Sequence, residues 1–267
     1  MILTEEIRFL TRLPGRFASP ERLARGLSWF PVVGLLCGGI SGLVALVWTT
    51  VVPIWAAALL TVLTYFGVKG WLHWDGLADV ADGLAVPGSS ERRREALRDP
   101  RKGTAGVLVL ALAALTFYGI LSHWQAPWPM PEVPRPPPVL RWAYGPGPVW
   151  SILPVFAIAE TCANNSMVFA CFRVRPMPGS VLAPPFISGT TPRVLLTSGS
   201  ITVALSVLLG GWMGGLALLS MIVGPGLSRW LGRPFGGTNG DVLGAVQVVM
   251  LLTALFLANL LPWPPFP

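Results

Sequence analysis

Residues 73–84, HWDGLADVADGL, place three of the chain's twelve carboxylates, Asp75, Asp79 and Asp82, directly after a long apolar segment. At about 100° of rotation per residue, Asp79 lies about 40° and Asp82 about 20° from Asp75, so a helix here carries all three on one face. Leu77, Val80 and Leu84 fall roughly 140–200° away and supply a packing stripe. Like charges at i, i+4 weaken a helix by about 0.2–0.5 kcal/mol, and Gly76 and Gly83 each cost up to about 1 kcal/mol relative to Ala. A helix that accepts both penalties points to a cation between the carboxylates.

Working outward, the 267 residues are 53% apolar and 12% charged, about half the charged share of roughly a quarter that soluble domains carry. Apolar segments near the ~20-residue length that spans a bilayer recur at Trp29–Val52, Ile54–Gly70, Gly103–Leu121, Val149–Phe172, Val194–Trp212, Leu216–Leu231 and Val242–Leu261. The expected fold is an all-α polytopic membrane bundle of about seven transmembrane helices, built as a single catalytic domain over residues 1–267. Residues 1–28 read as an amphipathic segment at the cytoplasmic surface, with Glu5, Glu6, Arg8 and Arg12 in place of a cleavable signal peptide. Residues 123–148 are proline-rich and read as an extended external loop.

Orientation follows from the basic residues. Arg8, Arg12, Arg16, Arg22 and Arg25 precede the first span, a run from Lys69 to Lys102 follows the second, and Arg173, Arg175, Arg193, Arg229 and Arg233 fall in later loops on the same side. Only Arg135 and Arg141 face the other way, so the positive-inside rule places the N-terminus and the acidic stripe in the cytoplasm. The net charge of +7 suits an anionic membrane surface and an anionic substrate. Nucleic acid is excluded as a partner, because the basic residues are dispersed over membrane-side loops. Cys37, Cys162 and Cys171 lie inside spans without ligand spacing and read as small hydrophobes.

Several further residues carry chemistry. Arg92, Arg93, Arg94, Arg98, Arg101 and Lys102 follow the acidic stripe closely enough to clamp phosphates, on a short helix capped by Ser90 and ended by Pro100. The Gly103–Gly106 turn offers backbone N–H groups to an anion. Gly38, Gly39 and Gly42 form a small-residue face for close helix packing, and such faces also suit association with a second copy or with neighbouring enzymes. Glu160 is an intramembrane carboxylate, read either as a functional group or as a protonated interhelical hydrogen-bond donor. Asp241, among Gly236, Gly237 and Gly240, reads either as a helix cap or as a fourth carboxylate of the site. His73 reads as a general base or, beside Trp71 and Trp74, as part of an interfacial aromatic belt. Carboxylates without a Cys or His cluster make a hard-oxygen site for Mg²⁺ or Mn²⁺. Metal-assisted transfer of a phosphate-linked group at a membrane is the chemistry these residues support.

FLTRLPG, FPVVGLLCGG, HWDGLADVADGL, RDPRKGTAG and GGTNGDVLGA, in this order over most of the chain, resemble the motifs of the cobalamin-5′-phosphate synthase family, also called adenosylcobinamide-GDP ribazoletransferases. The resemblance implies a Mg²⁺-dependent enzyme of a bacterial or archaeal cytoplasmic membrane that joins α-ribazole or its 5′-phosphate to adenosylcobinamide-GDP and releases GMP. It implies association with the bilayer and with other enzymes of cobalamin assembly. Carried over residue by residue, Asp75, Asp79, Asp82 and Asp241 hold metal, with Asp79 and Asp82 catalytic. Arg12, Arg98, Asp99, Arg101, Lys102 and Gly103 fall on substrate-binding motifs. The chain departs from the family's pattern at Asn164 or Asn165, where an Arg is expected, at Asn239 in place of a Thr, and at Gln247 and Met250, where carboxylates are frequent. The acidic stripe also resembles, more distantly, that of CDP-alcohol phosphotransferases acting on lipids, and a non-enzymatic membrane carrier is the remaining alternative.

Overall fold

The computed structural model describes residues 2–124 and 151–260. The proline-rich segment and its external placement lie outside the described residues, apart from His123 and Trp124 at its start. The described chain is helical: α1 (Ile2–Leu10), α2 (Pro20–Arg25), α3 (Phe30–Val51), α4 (Ile54–Lys69), α5 (Leu72–Ala85), α6 (Ser90–Arg98), α7 (Thr104–Ser122), α8 (Ile152–Ala170), α9 (Ala183–Gly189), α10 (Pro192–Gly210), α11 (Gly214–Gly232) and α12 (Gly240–Leu260). Each of the seven apolar segments read from the sequence falls on a long helix. Among the described residues, five helices are long and apolar enough to cross a membrane, and the α4–α5 pair makes a sixth if taken as one broken span, bent by 95°. The chain is therefore a polytopic helical membrane protein. The nineteen-residue α11 stands outside that set and carries Pro225 within it and Arg229 in its last turn.

Helix α8 forms the axis of the bundle, with nearly every residue from Ile152 to Ala170 buried and with α3, α10, α11 and α12 packed around it. A helix that is largely apolar, with its buried polar side chains hydrogen-bonded to neighbouring helices, can be enclosed in this way. The closest approach is to α3, where a Cβ at Gly34 or Gly38 would strike the carbonyls of Glu160 or Phe156, and one at Gly42 would lie 2.7 Å from the Leu153 Cα. The i, i+4, i+8 spacing keeps Gly34, Gly38 and Gly42 on one face, as in other small-residue membrane interfaces. Gly39, expected on that face, meets nothing within 4 Å, because it sits about 100° from Gly38.

Helix α4 spans about 24 Å at ~1.5 Å per residue, less than the ~30 Å of a bilayer core. It stops at Gly70, whose φ of +80° favours glycine, and the chain turns into α5. The Arg12 side chain packs over Gly70, and the Arg12 amide donates to the Val68 carbonyl at 2.8 Å. The N-terminal segment thereby braces the bend. Helix α6 is capped by Ser89, one residue before the expected Ser90, since the Ser89 hydroxyl accepts from the Arg92 amide. The three cysteines are free and buried.

Candidate active site

The acidic stripe forms as its spacing requires, on α5, with His73, Trp74, Gly76, Ala78, Val80 and Gly83 buried behind it. The two helix-weakening glycines have a packing cause. A Cβ on Gly76 would lie 2.8 Å from the Asp241 Cα, and one on Gly83 would lie 2.5 Å from the Phe235 ring. Gly244 of α12 returns the contact, since its Cβ would lie 3.0 Å from the His73 Cα. Helices α5 and α12 therefore meet backbone to backbone, and this brings Asp241, from the far end of the chain, beside Asp75 and Asp79.

Lys102 enters from the loop between α6 and α7. Its ammonium lies 2.6 Å from Asp75 and pairs with Asp79 as well. Burial disfavours the Lys102 ammonium, but the Asp75 and Asp79 carboxylates outweigh that effect and leave its pKa raised. Asp82, one turn further along, accepts from the Gly103 and Gly106 amides, each at 2.7 Å. A Cβ at either glycine would strike the Asp82 carboxylate, so glycine is required for this contact. The amides that the sequence offers to a phosphate are thus taken by Asp82, which caps α7 from a distance and aligns with its dipole.

At the start of α12, Asn239 accepts from the Val242 amide at 3.0 Å and donates to Asp241 at 2.6 Å. Asn239 is the cap, which leaves the Asp241 carboxylate to the site. The basic run is largely committed to the fold: Arg93 donates to the Leu84 carbonyl, Arg94 to the Phe235 carbonyl and Arg98 to the Pro178 carbonyl. Arg101 is exposed and pairs with Asp99 at 2.8 Å, and its side chain and amide hold the Asp99 carboxyl down at about 2.

Glu160 is remote from this cluster. It is fully buried, accepts from Lys69 at 2.6 Å and from the Tyr65 hydroxyl at 2.8 Å, and lies 3.3 Å from the Gln247 amide nitrogen. Lys69 also donates to Asn164, whose own amide donates to the Phe30 carbonyl. Two of the positions that depart from the family's pattern, Asn164 and Gln247, therefore belong to one buried network joining α4, α8 and α12. Asn165 instead links α8 to α10 and α11 through Ser198 and Ser220. The signal for this network was Tyr65 and Lys69 at i, i+4 on α4, facing Glu160 and Asn164 at i, i+4 on α8.

His73 is buried, at 3% exposure, and among the described residues neither ring nitrogen has a partner. The aromatic-belt position belongs to Trp71, which is exposed and stacks on Phe66 at 4.4 Å.

Asp75 and Asp79 of α5 share the Lys102 ammonium, and Asp241 of α12 lies within electrostatic reach of all three, a set of hard oxygen donors that fits Mg²⁺ in type. Among the described residues, no three His, Cys, Asp or Glu side chains are grouped closely enough to hold a metal ion as they stand. The cluster is open, with a positive charge already seated where negative charge is densest.

The sequence pattern of cobalamin-5-phosphate synthases matches residues 3–259. Proteins named adenosylcobinamide-GDP ribazoletransferase, from Escherichia coli O139:H28, Escherichia coli O9:H4 and Shigella boydii serotype 18, are 32% identical over 262 residues, covering 93% of this chain and 97% of theirs. No solved structure matches significantly. By the extent of these matches, the chain belongs to the cobalamin-5-phosphate synthase family.

Proposed function

We propose that the chain is a Mg²⁺-dependent transferase at the cytoplasmic face of the inner membrane. It joins α-ribazole 5′-phosphate to adenosylcobinamide-GDP and releases GMP, in a bundle of seven spans with its N-terminus in the cytoplasm. The observation that carries this reading is the sharing of Lys102 by Asp75 and Asp79, with the Asp241 backbone packed against Gly76 of the same helix, in a chain matched by the family over nearly its whole length.

Asp75, Asp79 and Asp241 would hold the Mg²⁺, which when bound neutralises diphosphate oxygens and acidifies a nearby hydroxyl. Lys102, held by Asp75 and Asp79, presents positive charge to the diphosphate. Exposed Arg101 and Arg12 suit outer phosphate contacts. A ribose hydroxyl attacks the phosphorus linked to cobinamide, the bond to GMP breaks, and the hydroxyl proton passes to Asp79. Asp82 acts through position: by holding the Gly103 and Gly106 amides it fixes the start of α7 and, next to it, Lys102.

Purified protein in detergent with Mg²⁺ should release GMP from adenosylcobinamide-GDP only when α-ribazole phosphate is added. GMP release that ignores the second substrate, or release of CMP from a CDP-linked lipid alcohol instead, would overturn the assignment.

A further inference from the structure

Asp75 and Asp79 sit one turn apart on α5, and the Lys102 ammonium lies against the Oδ1 atom of each. At Asp75 the separation is 2.6 Å, that of a charge-assisted hydrogen bond. Mg²⁺ asks more of its ligands, namely oxygens at ~2.0–2.1 Å in a near-octahedral array. Carboxylates spread around an ammonium do not meet that demand, and among the described residues no three His, Cys, Asp or Glu side chains are close enough to hold a metal ion as they stand. Asp79 has little other access, since its side chain is 15% exposed with Lys102 against it.

The Lys102 side chain can leave this position while its backbone stays. The side chain is 31% exposed, and an ammonium on a flexible four-carbon stem reorients readily. The backbone on either side is pinned. The Gly103 amide donates to Asp82 at 2.7 Å, and the Arg101 amide donates to Asp99 at 2.9 Å. A released ammonium therefore remains at the rim of the cluster.

Resting on the Mg²⁺-dependent reading above, we propose that Lys102 is a built-in counter-ion that a divalent cation displaces from Asp75 and Asp79, so that entry of the metal and the turning of the ammonium toward the substrate's diphosphate are one event. Before that exchange, the ammonium neutralises part of the carboxylate charge and ties α5 to the loop ahead of α7. The two cations compete for the same oxygens, and like charges crowded into one cluster repel. A diphosphate relieves the repulsion by giving the freed ammonium a partner. Cation and diphosphate therefore each strengthen the other's binding.

The test uses the full-length protein in detergent with Mn²⁺ as the probe, its free concentration read from its electron paramagnetic resonance signal. Without nucleotide, Lys102→Met should bind Mn²⁺ about tenfold more tightly than wild type, because the competing ammonium is gone. Arg101→Met removes an equal charge one residue away, from a side chain paired with Asp99, and should stay within about twofold of wild type. A second readout needs no variant. The sequence holds two lysines, Lys69 and Lys102, and Lys69 is buried, so acetylation by an amine reagent, followed by mass spectrometry, reports on Lys102. Acetylation should rise when Mn²⁺ is added alone and fall again when adenosylcobinamide-GDP joins it. Equal Mn²⁺ affinity in wild type and Lys102→Met, an equal gain in Arg101→Met, or acetylation indifferent to Mn²⁺ would overturn the counter-ion role, and acetylation that adenosylcobinamide-GDP leaves raised would overturn the coupling to diphosphate. No Mn²⁺ binding by any of the three proteins would overturn the counter-ion role together with the Mg²⁺ reading. Displacement of Lys102 by Mn²⁺ without any GMP release would keep the counter-ion and overturn the transferase reading, whereas Mg²⁺-dependent GMP release alongside equal Mn²⁺ affinities would do the reverse.

Discussion

Two sets of carboxylates in this molecule each have a lysine, and they are opposite in balance. On the open end, Asp75 and Asp79 share one ammonium, Lys102, with Asp82 held by backbone amides and Asp241 by Asn239, and the Asp75 side chain remains 54% exposed. In the bundle, one carboxylate, Glu160, meets one ammonium, Lys69, and both are almost fully enclosed by Tyr65, Asn164 and Gln247. Excess negative charge that water can reach leaves capacity for a further cation and an anionic substrate. A balanced, buried pair leaves none, because every charge is already compensated within the fold. The comparison assigns chemistry to the first set and helix positioning to the second.

The largest expected effect belongs to the buried pair. Glu160→Ala leaves buried Lys69 without a carboxylate partner and with only the Asn164 amide oxygen, at a cost of about 3–5 kcal/mol, and should lower the thermal unfolding temperature in detergent steeply. The double variant Lys69→Met with Glu160→Leu should recover most of that loss. A Glu160→Ala protein with wild-type unfolding would show that the network is not what holds α4, α8 and α12 in register.

A smaller effect is expected at Asp82, which lies in the open set but is bound to backbone amides. Asp82→Ala removes two charge-assisted contacts to the start of α7 and should cost about 1–2 kcal/mol, with turnover lowered through displaced Lys102. Unchanged stability with abolished turnover would move Asp82 from positioning to direct contact with the reacting groups.

A pH-dependent effect concerns a third carboxylate environment. Glu6 is buried in α1 with neither carboxyl oxygen partnered among the described residues, and burial, with Glu5 adding, pushes its pKa up to about 8. The folded protein therefore holds Glu6 protonated while the unfolded chain releases its proton near the ordinary 4.5. The stability is fully present below that ordinary value and is lost progressively as pH rises from there to about 8, by up to about 5 kcal/mol at ~1.4 kcal/mol per unit. Glu6→Gln should flatten this slope in unfolding measured between pH 5 and 9, and an unchanged slope would place the titrating group elsewhere.

The open set was legible in the sequence because the 3.6-residue period of α5 puts Asp75, Asp79 and Asp82 on one face whatever the tertiary fold. Asp241 was reachable only through topology, since it comes from the other end of the chain and its approach depends on Gly76 and Gly244. The buried set was not legible. Lys69 resembles the positive residue that ends a span, and only the placement of α4 against α3 and α7 shows that it points inward to Glu160. Gly103 and Gly106 were recognised as offering amides, but the sequence does not show that Asp82 reaches them first. Trp71 and His73 are two residues apart with opposite exposure, which is set by the bend at Gly70. The α4 helix was read at nearly its observed length, and the bend itself follows from the positive φ of Gly70.

The central claim is that the open cluster is the reacting centre, and GMP release by Asp79→Asn tests it most directly. With both substrates saturating and Mg²⁺ present, the account predicts turnover lowered on the order of 100-fold or more, with the unfolding temperature within a few degrees of wild type. Full turnover by that variant would contradict it.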